Sequence, residues 1–555
     1  MDPLSGVTRL AVVLAALLAG GLVYSMRPEP GEAVTRLRRR LLFGLPIGTL
    51  LTLGIVASVF LFVQGGLRHD RLLTLPFISW SLRYPLGMVT APLAHQSLSH
   101  LIGNLSGFLI FGSLCEYAVG HYPRERGRAA FDSIRTTPYA RVLVVPGIAL
   151  AVAPVTSLFA WGPIIGFSGV VYAAVGFSLI QFPVLAVIGL VSHEFVRTAF
   201  WALREPIVTE SAGTSYGIPW WANVAVQTHL LGLLLGVSLG LAFWRLRGSR
   251  PRRDPWTVFT ASLLVGSSLT LWAVWWYSGP GSYRLFRGPG FVLMLGIAVL
   301  VTIAACLRES PLEEVSTRQV SIGLILLPVL LLGAIALPIN LTDPGEFGVS
   351  GRTVTVKNYE IGYAEGVPYP RIESVDVPVL NESETIAPTI SGVIVANEQR
   401  HLFTEAVSAG RLATTGEATV VLGGLGWRET VVIERVGWRA IGGARTYLVR
   451  ARTDSGVRPL YGSEPATAEA VVAGRTVTVA PANGTFLLRV RTANATAASP
   501  PPGWVPLPDR GRQITVEGLR ITHTNGTLVV SRNDTRVPVF VATNRGYRSR
   551  SQTTR

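Results

Sequence analysis

The chain has 555 residues, of which 49% are hydrophobic and only 15% are charged. This composition fits a polytopic membrane protein better than a soluble enzyme. The formal net charge is +16, but many arginines lie between apolar segments, where they orient helices, so nucleic-acid binding is disfavoured. Cys115 and Cys306 both lie inside apolar segments, which excludes a disulfide framework and a cysteine-based zinc site.

Ten apolar stretches are roughly long enough to cross a bilayer core, for which about 20 residues are needed. They cover residues 7–25, 41–64, 97–120, 142–161, 163–181, 182–203, 222–244, 256–277, 289–307 and 319–339. The first stretch has no clear small-residue cleavage site, so we expect it to be retained as a membrane helix. Pro183 predicts a tight turn between the fifth and sixth stretches.

Arginine placement predicts the orientation of these helices. Arginines cluster within residues 36–40, 124–141 and 245–253, and these three loops face the same side if every intervening segment crosses the membrane. The positive-inside rule assigns that side to the cytoplasm. The sequence therefore predicts a multi-pass protein of the cell membrane, with the region after about residue 340 on the extracytoplasmic side.

After about Asn340 the sequence pattern is different. It consists of short runs that alternate between apolar and polar residues, such as Thr353–Val356. Asn483-Gly484 and Asn525-Gly526 separate such runs and are strong hairpin signals. We expect an antiparallel β region that forms one sandwich or two. Acceptor-type glycosylation sequons occur in or near this region at Asn340, Asn381, Asn483, Asn494, Asn525 and Asn533.

The predicted fold class is an α-helical polytopic membrane protein with a C-terminal all-β region. Its expected parts are an N-terminal helix with a basic loop at 1–40, a membrane core at 41–245, additional membrane helices at 246–340 and the extracytoplasmic β region at 341–555.

A serine lies between glycines in the apolar segment Gly166–Tyr172. The hydroxyl of Ser168 could simply bond to a carbonyl one turn earlier, as in many membrane helices. However, ionisable side chains at membrane depth are costly and usually functional, and apolar segments elsewhere contain His100 and His229. A serine with a distant histidine is typical of a nucleophile and its base.

Helix geometry shows how these residues could meet. A helix that begins near Ser168 would reach Gln181 after about 20 Å, and its N-terminal N–H groups would suit a developing oxyanion. Ser168 and Tyr172 would share a face of this helix. Small residues such as Gly232 and Gly236, on roughly the face of His229, let two helices approach closely. His229 could then reach Ser168, with Tyr172 against its ring.

Other polar residues are less suggestive of chemistry. On a helix that begins near His95, His95 and His100 lie far apart, whereas His100 and Asn104 share a face. A metal site with these two histidines as ligands is therefore disfavoured. His193-Glu194 lacks the second histidine of a zinc-protease helix, because Arg197 occupies that position. We expect this pair to be structural, and no metal or organic cofactor is predicted.

Three segments together resemble the signature of the rhomboid intramembrane serine proteases. They read His95-x4-His100-x3-Asn104, Gly166-Phe-Ser168-Gly169-Val-Val-Tyr172-x3-Gly176 and His229-Leu-Leu-Gly232-Leu-Leu-Leu-Gly236. The resemblance covers about residues 41–245 and implies a six-helix core, with about four further helices outside it. One departure is the first outer loop, where the family usually has Trp-Arg and this chain has Pro85-Leu86-Gly87-Met88.

The resemblance implies a role for each of these residues. Ser168 would be the nucleophile and His229 the general base and acid, without an aspartate. His100, Asn104 and the backbone N–H of Ser168 would stabilise the oxyanion. Tyr172 would orient His229, and Glu116 matches a structural family glutamate. The glycines that would support the dyad are Gly166, Gly169, Gly232 and Gly236.

We therefore expect an intramembrane serine endopeptidase that cleaves membrane-anchored proteins in or near their transmembrane segments. One alternative is an inactive rhomboid-like protein that binds transmembrane clients. A second alternative is a polytopic transporter or receptor with an outer β domain, in which the polar residues line a path.

Overall fold

In this computed structural model the described residues are 3–25, 31–79, 81–122, 137–159, 162–208, 219–248, 251–279, 282–306, 351–368, 389–424, 426–493 and 503–543, with isolated positions 133, 323, 326, 341 and 349. The chain divides into two compact units. One is formed mainly by residues up to 343 and the other mainly by residues 344–555.

The first unit is helical. Its helices are α1 Pro3–Ser25, α2 Gly31–Arg40, α3 Ile47–Ser58, α4 Pro85–Thr90, α5 Leu98–Val119, α6 Pro138–Arg141, α7 Val144–Leu158, α8 Ser168–Gln181, α9 Pro183–Arg204, α10 Val226–Leu246, α11 Pro255–Ser268 and α12 Arg287–Cys306. A π-helical segment, Val59–Val63, continues α3. The hairpin of β1 (Trp275–Gly279) and β2 (Ser282–Leu285) separates α11 from α12.

Several of these helices are suited to a bilayer. Among the described residues, five are long and apolar enough to cross a membrane: Leu98–Val119, Pro138–Leu158, Pro183–Arg204, Val226–Leu246 and Arg287–Cys306. Shorter apolar helices cover Gly6–Ala19, Ile47–Val63 and Ser168–Gln181. The prediction of a polytopic helical core is confirmed. The stretch predicted at 319–339 lies almost entirely outside the described residues.

The short helix α8 lies at the centre of this unit. Twelve of its fourteen residues are buried, and its neighbours include α5, α7, α9 and α10. Pro183 begins α9 directly after Phe182, which confirms the predicted tight turn. Protein therefore encloses most of α8, and the two residues that are only partly buried are Ser168 and Tyr172.

The stretch 256–277, predicted as a single membrane span, forms a shorter helix and then a strand in the structure. α11 begins at Pro255, where Asp254 Oδ2 accepts a hydrogen bond of 2.8 Å from the N–H of Thr257, and it ends at Ser268. Trp275 then begins strand β1. Trp275, Trp276 and Tyr277 have high strand propensity, and they lie in strand β1 instead of extending the helix.

The second unit is rich in β-strands, as predicted. Its strands are β3 Thr353–Val356, β4 Tyr359–Pro368, β5 Thr389–Asn397, β6 Leu402–Ser408, β7 Glu417–Gly424, β8 Trp427–Ala440, β9 Arg445–Thr453, β10 Gly456–Gly462, β11 Ala466–Thr467, β12 Arg475–Ala482, β13 Thr485–Thr492, β14 Val505–Pro506, β15 Gln513–Val516, β16 Leu519–Thr524, β17 Thr527–Arg532 and β18 Thr535–Ala542. One short helix, α13 (Ala409–Thr415), lies between β6 and β7.

The described strands form three antiparallel sheets. One has the order β3-β4-β5-β6, a second β11-β12-β13-β14, and the largest β10-β9-β8-β18-β17-β16-β15 with β7 also paired to β8. The last two share one hydrophobic core, in which Val479 and Leu488 pack with Ile521 and Phe540. Such a shared core between two sheets supports the predicted sandwich for this part of the unit.

Both predicted hairpins are confirmed. Asn483 and Gly484 connect β12 to β13, and Asn525 and Gly526 connect β16 to β17. Each asparagine has a left-handed backbone, with φ of +48° and +49°, and each following glycine also has a positive φ. Two successive residues with positive φ are what a type I′ turn requires.

Candidate active site

The chain enters α8 as extended backbone that is fixed to neighbouring segments. Ile164 forms an antiparallel bridge with Ser79, and the N–H of Gly166 donates to the carbonyl of Ala91 over 2.9 Å. Phe167 is completely buried, with its ring edge-on to that of Phe108. These contacts place Ser168 as the first residue of α8, as predicted.

Ser168 and His229 are in hydrogen-bond contact. The hydroxyl Oγ of Ser168 lies 2.9 Å from Nε2 of His229, although the two residues are 61 positions apart. The other ring nitrogen of His229, Nδ1, is buried and has no hydrogen-bond partner among the described residues. The geometry is that of a serine–histidine dyad, with no carboxylate bonded to the second ring nitrogen in the part of the chain that the structure describes.

The ring of Tyr172 covers that of His229. The ring centroids are 4.0 Å apart and the planes differ by 19°, so the two rings are stacked. Tyr172 lies one helical turn after Ser168 on the same face of α8. The predicted packing of Tyr172 against His229 is therefore present, and it restricts rotation of the imidazole.

Glycines allow α8 and α10 to approach this closely. A Cβ atom on Gly232 would lie 2.2 Å from the carbonyl oxygen of Gly169, and one on Gly236 would lie 1.9 Å from that of Ala173. On α8, a Cβ on Gly176 would lie 2.1 Å from the carbonyl oxygen of Leu233. Any larger residue would force the backbones apart.

Gly166 and Gly169 have other close neighbours. Gly166 has φ of +130°, and a Cβ there would lie 2.4 Å from Cε1 of His100. A Cβ on Gly169 would meet the side chain of Thr156 at 2.7 Å. The absence of side chains at both positions lets the ring of His100 and helix α7 reach the start of α8.

The placement of His95 differs from the sequence prediction. α5 begins at Leu98 because Ser97 is its N-cap, with Oγ accepting from the N–H of His100 over 3.1 Å. His95 therefore precedes the helix, and the prediction that helix rotation separates it from His100 and Asn104 is wrong. Its ring is edge-on to that of His100 at 5.0 Å, and its Nε2 accepts from Nδ2 of Asn104 over 2.9 Å.

Gln64 fixes the backbone of His95, a contact that the sequence did not indicate. Oε1 of Gln64 accepts from the N–H of His95, and Nε2 of Gln64 donates to the carbonyl of His95, both over 2.8 Å. All three side chains of this group, those of Gln64, His95 and Asn104, are buried. Together they orient the amide of Asn104 on the helix that also contains His100.

Two other polar groups are structural. Glu116 accepts hydrogen bonds of 2.7 Å from the N–H groups of Gly48 and Thr49 at the start of α3, and contacts His121 at 2.6 Å. This arrangement agrees with the structural role expected for Glu116. His193 Nε2 contacts the carbonyl of Gly103 at 3.0 Å, so it is engaged in packing α9 against α5.

These features define a multi-pass helical membrane protein with a serine–histidine pair at its centre. Residues 83–246 match the family model described as the Rhomboid domain. Residues 83–246 therefore form a rhomboid domain, as the motifs predicted. The match ends before α11, so α11, α12 and the β unit are additions to the domain. Comparison with curated proteins and with solved structures found no match.

Proposed function

We propose that this protein is an intramembrane serine endopeptidase that cleaves membrane-anchored proteins in or near their transmembrane segments. The hydrogen bond of 2.9 Å between Ser168 Oγ and His229 Nε2 is the observation that carries the proposal. A serine hydroxyl is a weak nucleophile, and a base within hydrogen-bond reach is what activates it.

In the proposed mechanism the Ser168 hydroxyl donates its proton to Nε2 of His229 as Oγ attacks the scissile carbonyl. The imidazolium then donates this proton to the leaving amine, which releases the first product and leaves an acyl-enzyme. A water molecule then attacks that ester while His229 accepts its proton. The ester bond breaks as His229 returns the proton to Ser168 Oγ, and the second product leaves as a carboxylate. Stacking on Tyr172 keeps the ring in one orientation through both steps.

Negative charge develops on the substrate carbonyl oxygen in each step. The backbone N–H of Ser168 lies at the N-terminus of α8, where N–H groups have no intrahelical acceptor and the helix dipole is positive. We assign further donors to His100 and Asn104. The bond from Asn104 to His95 supports this assignment, because donors that are held in place before the reaction stabilise an oxyanion best.

The proposal includes a location. The arginines of the loops near residues 40, 141 and 247 favour the cytoplasmic side for the ends of α5 and α10, and Ser168 then lies toward the outer face. The substrates are membrane proteins in the same bilayer, and we place the protein in the cell membrane with its β unit outside.

A serine-directed fluorophosphonate and a panel of transmembrane substrates test the proposal. Wild-type protein should be labelled at Ser168 and should cleave at least one substrate, and Ser168→Ala should lose both activities. The matched control is Ser178→Ala, which removes another serine from the same helix and should keep both activities. Substantial cleavage by Ser168→Ala would refute the mechanism. A folded wild-type protein without labelling or cleavage would instead favour a client-binding role.

A further inference from the structure

The hydroxyl of Tyr172 reaches beyond the rhomboid domain. It donates a hydrogen bond of 3.1 Å to the carbonyl oxygen of Leu269, which follows α11. The residue that stacks on His229 is thus held from its far end by a segment outside the matched residues 83–246. Since a buried phenol needs a partner for its hydroxyl, this contact fixes where the Tyr172 ring can lie.

The same segment contacts the chain that leads to His229. The indole Nε1 of Trp275 donates to the carbonyl oxygen of Val224 over 3.0 Å. Val224 lies two residues before α10, and the N–H of His229 bonds to the carbonyl of the next residue, Ala225, over 3.1 Å. Residues 269–275 therefore contact both helices of the dyad, one through Tyr172 and the other just before its first turn.

This segment is itself firmly held. Leu271 and Ala273 are buried, with exposed fractions of 2% and 0%. A Cβ on Gly290 of α12 would lie 1.8 Å from the carbonyl oxygen of Trp272, so the backbones of the segment and α12 are in direct contact. Thr270 has φ of +57°, which is strained for a β-branched residue and persists only where the surroundings impose it.

We infer that residues 269–275 are a positioning element that completes the active site. The inference rests on the proposed protease function. Leu269 and Trp275 touch no reacting atom, and they act by fixing Tyr172 and the start of α10. α11 and α12, which are additions to the rhomboid domain, thereby become part of its catalytic architecture.

The test compares Tyr172→Phe, Trp275→Phe and the control Trp256→Phe in the full-length protein. Tyr172→Phe keeps the stacked ring and removes only the hydroxyl, and Trp275→Phe removes the indole N–H. Each should lower kcat and the rate of fluorophosphonate labelling up to about tenfold, the equivalent of one hydrogen bond, with KM and Tm nearly unchanged. Trp256 is largely exposed on α11, so its variant should match the wild type.

The outcomes separate this inference from the proposed function. If the wild type is active and both Tyr172→Phe and Trp275→Phe keep its kcat and labelling rate, the positioning role is refuted. The same conclusion follows if their loss of activity only parallels a fall in Tm. If the folded wild type neither labels nor cleaves, the protease function fails, and this inference fails with it.

A second, independent observation is an apolar cavity of about 270 Å³ between α5, α7, α8 and α10. Val119 and Leu246 line one end, and Phe108 and Val170 line the other. From Phe108 to Val119, α5 rises by about 16 Å, close to half of a hydrocarbon core of about 30 Å. The cavity thus has the length of an acyl chain within one leaflet.

Three arginines meet at one end of this cavity. Arg141 Nη2 donates to the carbonyl of Gly120 over 3.0 Å, Arg247 Nη2 to that of Val119 over 2.6 Å, and Arg40 Nη1 to that of Tyr117 over 3.2 Å. Each guanidinium is positively charged, and the carbonyl oxygens at the end of α5 hold the three groups close together. The result is a positive cluster at the mouth of an apolar space.

Lipid can reach the cavity from the side. Leu246 is 88% exposed and Ile148 is 42% exposed, although both line it. The guanidinium of Arg247 stacks on Phe243, another lining residue, at 4.4 Å. We infer that an anionic phospholipid binds here, with one acyl chain in the cavity and its phosphate on the arginine cluster.

Thermal unfolding in detergent tests this site without any assay of proteolysis. Dimyristoyl phosphatidylglycerol should raise Tm by about 3 °C or more in a saturable way, and dimyristoyl phosphatidylcholine or inorganic phosphate should not. Ala242→Phe, which fills the cavity from its exposed side, and Arg141→Gln should each abolish the rise. The control Arg245→Gln removes a nearby charge and should keep it.

Equal stabilisation by the two phospholipids would show that they act only as ordinary boundary lipid, and it would refute the proposed lipid site. An equal effect of inorganic phosphate would show that the cavity takes no part. Retention of the phosphatidylglycerol effect in both Ala242→Phe and Arg141→Gln would also refute the assignment.

Discussion

Substitution of Gly236 by alanine should disable the dyad from two helical turns away. The new Cβ would lie 1.9 Å from the carbonyl oxygen of Ala173, whereas ordinary contacts begin at 3.4 Å. α10 must therefore move from α8 by about 1.5 Å unless the helices tilt. A displacement of that size would lengthen the 2.9 Å contact between Ser168 and His229 beyond hydrogen-bond range. Misplacement by about 1 Å can cost about 100-fold in rate.

The assay is the initial rate of substrate cleavage, with the rate of fluorophosphonate labelling of Ser168 measured on the same preparations. The matched control is Gly54→Ala in α3, where a Cβ would meet nothing within 4 Å. This control should keep full activity, and the removal of a mid-helix glycine should slightly stabilise the protein. A Gly236→Ala protein that cleaves at the wild-type rate would refute the close-packing argument.

Three further predictions concern stability and topology. Glu116→Ala leaves buried donors at the start of α3 unpaired and should lower stability on the order of 3 kcal/mol, measured by unfolding in detergent; an unchanged Tm would contradict this. Cysteines introduced at Gly248 and Ser455 should differ on intact cells, with only Ser455→Cys reacting with an impermeant thiol reagent; equal labelling would refute the orientation. Burial raises the pKa of Glu405 from its ordinary value of 4.5 to about 7, so its contribution to stability is full below pH 4.5 and is lost as the pH rises through 7. Glu405→Gln should flatten that pH dependence of Tm. An unchanged profile of Tm against pH would refute the assignment of this dependence to Glu405.

The centre of the site was predictable because its constraints are local. A helix from Ser168 to Gln181 follows from the glycine-bounded start and from Pro183, which begins the next helix. The pairing of α8 with α10 follows from small residues spaced on one face of each helix. The hairpins at Asn483 and Asn525 follow from turn chemistry that few other residues satisfy.

The parts that were not predictable depend on contacts between distant segments. His95 was expected on α5, but capping by Ser97 shortens the helix and frees the ring of His95 to turn back to Asn104. The acceptor for Tyr172 is a backbone carbonyl, at Leu269, which leaves no trace in the side-chain pattern. The hairpin that begins at Trp275 had a usable signal, since aromatic residues flank Gly279-Pro280-Gly281.

Three sequon asparagines serve a second purpose in the β unit. Asn483, Asn525 and Asn533 are exposed in two-residue turns, and each has a left-handed backbone with φ between +48° and +53°. The usual replacement of such an asparagine by glutamine would impose strain on the turn, so a loss of glycan and a loss of folding could not be told apart. The residue to change is the threonine that opens the following strand, for example Thr485→Val, which removes the acceptor sequence and keeps a β-branched side chain in place.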